Sequence, residues 1–103
     1  MYMKYITFLV NDETVGIKYS SSYLVEETHI NKTFIKNGYE YIHYKGIKIP
    51  VVDTGKVIHN KSLRKFDGLI FITFNKKIIA FKTEGFFKCE SKVDRELDPS
   101  AFF

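Results

Sequence analysis

The chain has no tryptophan, one cysteine and two prolines in 103 residues, and the strong helix formers alanine and leucine are scarce. Each shortage excludes something. A lone cysteine, Cys89, forbids an intramolecular disulfide and fits a reducing compartment. It falls on an apolar parity and reads as a small buried hydrophobe. No apolar run approaches the roughly 20 residues that a membrane-spanning helix requires. The N-terminal MYMKYITFLVND is too short and too polar for a secretory leader. The expectation is therefore a soluble, cytoplasmic protein without membrane insertion. Chemistry-bearing motifs are missing as well. No phosphate-cradling glycine loop occurs, and no serine, cysteine or carboxylate pair forms a nucleophile-and-base motif. His29, His43 and His59 lie far apart with no second ligand at metal spacing. The expectation is a protein that is not an enzyme and has no metal site or cofactor.

What is present favours strands. Ten Phe and seven Tyr bring the aromatic content to 17%, and Ile and Val are abundant; flat and β-branched side chains suit a pleated surface. The expected fold class is all-β. At this length the chain makes one domain, or two very small lobes. The net charge of +4, from 16 basic and 12 acidic residues, is no nucleic-acid signature by itself.

Alternation of apolar and polar residues predicts strands over 2–10 and 14–19, joined through Asn11-Asp12-Glu13. Ser20-Ser21-Ser22 breaks the pattern before Tyr23, Leu24 and Val25, a short helical turn or a third strand. Residues 28–38 read as a surface connection ending in the turn signal Asn37-Gly38. Residues 59–67, HNKSLRKFD, read as a basic loop between lobes 1–58 and 68–93. A hairpin over 69–83, turning at Asn75-Lys76, follows, and 86–93 reads as a further strand. The tail 94–103 reads as a helical turn or as disorder. The glycosylation triplets at Asn31 and Asn60 read as chance in an Asn-rich chain.

The clearest hairpin is YIHYKGIKIPVVD, residues 41–53. In the left half Ile42 and Tyr44 share one face, in the right half Ile47, Ile49 and Val51 share one face, and the phase breaks at Lys45-Gly46, where a glycine supplies the backbone angles of a tight turn. Pro50 removes a backbone donor, which predicts an edge or a bulge there. Asp53 is suited to an Asx turn before Thr54-Gly55, so Pro50, Asp53 and Gly55 are read as structural. Lys45-Gly46, flanked by Tyr44 and Lys48, is the candidate partner-binding corner.

The order of these motifs resembles the CheW-like domain, the adaptor module of bacterial chemotaxis that also forms the regulatory end of the CheA histidine kinase. The first hairpin with Val25-Glu26, the run through Lys45, Gly46, Pro50, Val52 and Asp53, and the strand pair LIFITFNKKIIAFKTE ending at Glu84 carry the likeness over roughly residues 4–93. The family usually places arginine at the position of Lys45. The resemblance implies small SH3-like barrel lobes of antiparallel hairpins, incomplete here because the family continues through further strands. It also implies a non-enzymatic adaptor whose partners are a CheA-type histidine kinase and the chemoreceptor cytoplasmic tip. Unpaired edges would favour a homodimer or strand-exchanged oligomer. The alternative is a small barrel binding single-stranded nucleic acid through Lys61, Arg64, Lys65 and Phe66, which is the less favoured reading because aromatics elsewhere follow core parity.

Overall fold

Four tight turns set the register of most of the sheet structure in this computed structural model, which describes all residues except 1–4, 19, 21, 31, 86–88, 91 and 92. The readings that fall on Tyr2, Tyr19, Asn31, Phe86 and Phe87, and on the side chain of Cys89, lie outside the described residues. The strands are β1 (Tyr5–Val10), β2 (Glu13–Lys18), β3 (Leu24–Thr28), β4 (Phe34–Lys36), β5 (Tyr39–Tyr44), β6 (Ile47–Asp53), β7 (Gly68–Phe74), β8 (Lys77–Thr83), β9 (Cys89–Glu90) and β10 (Arg95–Glu96). A short helix α1 (Thr54–His59) follows β6, and a 3₁₀ turn covers Pro99–Phe102. The fold is all-β.

Hairpins β1–β2, β4–β5, β5–β6 and β7–β8 each close over two residues: Asn11-Asp12, Asn37-Gly38, Lys45-Gly46 and Asn75-Lys76. Both residues of every pair have positive φ. That is the type I′ geometry, whose twist matches the right-handed twist of the strands it joins. The connection read over 28–38 thus contains a strand, β4, whose three residues are too few to show a period.

Two sheets form. One has the order β10-β2-β1-β9, and the other β3-β7-β8-β6-β5-β4. The sheets draw their strands across the basic loop: β8 pairs in parallel with β6, and β3 pairs with β7. They therefore do not follow a division into 1–58 and 68–93. The six-stranded sheet curls. β3 and β5 are four strand spacings apart, about 19 Å if flat, yet the Tyr44 hydroxyl on β5 donates to Glu26 Oε1 on β3 at 2.6 Å.

The curl encloses Ile42, Ile49, Leu69, Phe71 and Ala80. On its outer face Ile70, Ile72, Ile79 and Phe81 meet Phe8, Val10, Val15 and Ile17 of the smaller sheet. Hairpin β7–β8 is therefore buried on both faces, which explains why its residues are apolar at both parities. The tail is part of the fold. Arg95 and Glu96 pair with Val15 and Gly16, Leu97 is buried, and Phe102 meets Phe81 edge-on at 5.4 Å.

Helix α1 arises where the strand reading stopped. Asp53 Oδ1 accepts from the amides of Gly55 at 2.9 Å and Lys56 at 3.3 Å, as an N-cap does. Asn60, in the left-handed region at φ 57°, closes the other end.

Lys76 stands where a type I′ turn prefers glycine, at φ 67°. The left-handed region costs a residue with a Cβ about 1–2 kcal/mol, so Lys76→Gly is expected to raise the unfolding free energy by about 1 kcal/mol. Urea denaturation checks this through a higher midpoint at unchanged slope.

Candidate functional site

The Lys45-Gly46 turn projects from the end of β5–β6, and its chemistry follows from which face each neighbour occupies. Tyr44 points inward and stacks on Phe71, with ring centroids 4.4 Å apart. Its hydroxyl reaches Glu26, and the Lys45 ammonium stands 3.6 Å from the same Oε1 and 5.1 Å from the Tyr44 ring centre. The Lys45 side chain is 69% exposed, so the pairing is a surface one that a partner's carboxylate can replace at small cost. Ile47, the first residue after the turn, leaves 51% of its surface exposed. The corner thus sets a half-exposed apolar side chain beside an exposed cation.

The four residues of the expected corner do not all gather there. Lys48 lies on the opposite face of β6, 4.6 Å over the Tyr41 ring. Tyr44 is chiefly a closing strut, and Lys45 and Gly46 form the exposed tip. Glu26 completes the corner from a strand nearly twenty residues upstream. Local pattern gives no sign of it, because a glutamate on an edge strand is ordinarily just solvated.

Below the corner Pro50 sits where β6 changes neighbours, pairing with Tyr41 before β8 joins at Val51. Each half of β6 thus has one ladder partner, so at Pro50 the strand is locally an edge and the missing amide is tolerated. Asp53 Oδ1 also accepts from Leu63 N at 3.3 Å, tying the loop after α1 to the helix start. Gly55 is required there, because a Cβ would lie 2.5 Å from the Lys61 carbonyl oxygen and 2.7 Å from Leu63 N. Thr54 is fully buried and its hydroxyl donates to the Lys82 carbonyl at 2.6 Å.

The basic loop is docked onto the first hairpin. Arg64 meets Asp12 at 2.6 Å and Glu84 at 3.5 Å, and its amide donates to Asn11 Oδ1 at 3.0 Å. Lys65 pairs with Asp67 at 3.1 Å. Two of the three cations that could have followed a phosphate backbone are thus turned to carboxylates. His59 and Arg95 both engage Glu13 Oε1, at 3.2 and 2.5 Å, which links α1, β2 and the tail.

Between the sheets lies a groove of about 400 Å³, bordered by Leu9, Thr28, His29, Gly68, Thr83 and Gly85. Leu9 is 41% exposed in it. Among the described residues no group of three or more His, Cys, Asp or Glu could hold a metal ion, and no helix is long and apolar enough to cross a membrane.

The hydrogen bond from Tyr44, with the Lys45 charge as a smaller cause, holds the Glu26 carboxyl below its ordinary range. In turn Glu26 raises the Tyr44 phenol. Because the folded carboxyl ionises more readily than the unfolded one, its contribution is present above the unfolded pKa. It is lost as pH falls through the lowered folded value. Tyr44→Phe is expected to flatten the stability-versus-pH slope below about pH 5. Urea midpoints of both proteins across that range check it, and parallel slopes would contradict it.

Compared with known proteins, the chain matches no family model, and its sequence matches no curated protein.

Proposed function

We propose that the chain is a non-enzymatic signalling adaptor, a divergent relative of the CheW-like domains, that couples chemoreceptor tips to a CheA-type histidine kinase. In this reading the curled six-stranded sheet stands for one of that family's small SH3-like barrels and the second sheet for part of the other. Docking uses the Lys45 corner and the groove between the sheets. The observation that carries the reading is the corner itself. It is an exposed cation on a rigid two-residue turn, beside the half-exposed Ile47, at the motif position that the resemblance marks. Apolar side chains at such a rim supply affinity, and the charge sets partner choice and association rate. Lysine keeps the charge of the arginine usual in the family but not its planar fork, so weaker docking than in a typical family member follows.

Self-association through open edges is the less supported reading. Edge strand β3 carries Glu26 and Glu27, and edge strand β4 has only three residues. Charge and shortness both discourage edge-to-edge pairing.

Pull-down and titration with a chemoreceptor tip and a CheA regulatory domain test the proposal. Wild-type protein is expected to bind, and Lys45→Glu, which places a second carboxylate beside Glu26, to weaken binding about tenfold or more. Silence of the wild type, or binding that the reversal leaves unchanged, overturns it.

A further inference from the structure

Strand β6 leaves a gap where it parts from β8. Residues 47–50 pair with β5, and the parallel ladder to β8 begins only at Val51 opposite Ala80. Upstream of that junction residues 47–49 and 77–78 are not paired with each other. Between them lies a cavity of about 440 Å³, lined by Ile47, Ile49, Pro50, Ile78, Phe102 and Phe103. That volume is within the usual range of ligand sites.

The backbone groups facing this gap follow from the two turns. In a two-residue hairpin the closing pair exchanges both ladder bonds, and the next pair outward exchanges none. The closing pairs are Tyr44 with Ile47 and Phe74 with Lys77. Lys48 and Ile78 are next outward, so the amide and carbonyl of each point away from their hairpin partners and toward the gap. Pro50 has the same parity but no amide; its carbonyl serves the Val51–Ala80 rung, and the ladder lacks the next bond upstream. The gap therefore begins at a residue with no amide to pair, between two lips that have one.

The charge around the gap has one sign. Lys48, Lys76 and Lys77 line it, and among the described residues no acidic side chain does. We propose that it receives an extended, acidic segment of a partner protein by strand addition. Backbone pairing to Lys48 or Ile78 would set the register, apolar side chains would settle on Ile47 and Ile78, and carboxylates would meet the three lysines. A nucleic-acid strand suits the lips less well. Inward carbonyls repel phosphates, and the rings of Phe102 and Phe103 are already engaged by Phe81 and Phe74. The site shares Ile47 with the Lys45 corner but draws its charge from other lysines, and it stands whether or not that corner docks a kinase.

Fluorescence anisotropy with a labelled peptide of alternating valine and glutamate, its glutamine counterpart and a short oligothymidylate tests the proposal. The acidic peptide is expected to bind at micromolar Kd and the glutamine peptide at least about fivefold more weakly. Combined Lys48→Glu and Lys77→Glu is expected to weaken the acidic peptide about tenfold or more, while Lys45→Glu leaves it unchanged. Should the double variant not fold, peptide-induced amide shifts in the wild type must centre on residues 47–50 and 76–79. Absent acidic-peptide binding at about 1 mM, equal binding of both peptides, tighter binding of the oligothymidylate, or shifts centred elsewhere overturns the proposal.

Discussion

Burial of the β7–β8 hairpin on both faces is the constraint on which the rest of the structure depends. Leu69, Phe71 and Ala80 fill the interior of the curled sheet, while Ile70, Ile72, Ile79 and Phe81 form the seat of the smaller sheet. A hairpin with apolar residues at both parities cannot expose either face at low cost, since each large side chain left in water forfeits about 1.5–3 kcal/mol. Two layers must cover it, and segments from both sides of it in sequence contribute. β1–β2 arrive from the N-terminal side, and Leu97, Phe102 and Phe103 from the C-terminal side.

Polar contacts then fix how the layers meet. Glu13 gathers His59 and Arg95, Arg64 spans Asp12 and Glu84, and Asp53 holds the start of α1 against Leu63. Most of these are partly exposed, so they contribute direction more than stability. They hold the basic loop against the first hairpin and leave exposed cations elsewhere, on Lys45 at the corner and on Lys48, Lys76 and Lys77 around the gap beside Pro50. The adaptor reading and the strand-addition site both follow from that redistribution of charge.

Much of this could be read from the chain itself, for identifiable reasons. Hairpins β1–β2 and β5–β6 show as period-2 patterning on either side of a turn signal, and β7–β8 as two apolar runs broken at Asn75-Lys76, signals confined to a few neighbouring positions. β4 was missed because Phe34–Lys36 is too short to show a period, although its turn at Asn37-Gly38 was visible. Helix α1 was missed because Thr, Gly, Val and Ile are poor helix formers and a single aspartate cap, with αL closure at Asn60, makes up the difference. The sharing of strands across the basic loop is not legible, because pairing of β6 with β8 and of β3 with β7 depends on contacts across the chain. The same holds for Arg64, legible as a loop cation but not as the partner of Asp12 and Glu84. At the candidate site the exposed turn was legible, whereas the Tyr44 strut to Glu26 and the separation of Lys48 onto the other face required the curl of the sheet.

Native-state hydrogen exchange tests the central claim most directly. If two-sided burial of β7–β8 organises both sheets, the amides of Ile70, Ile72, Ile79 and Phe81 exchange last and only through global unfolding, with an exchange free energy equal to that from denaturant melts. The amides of β1–β2 and of the C-terminal segment then open earlier, by partial unfolding of the outer layer. Exchange of the β7–β8 amides through local opening, while β1–β2 remains protected, would contradict the account.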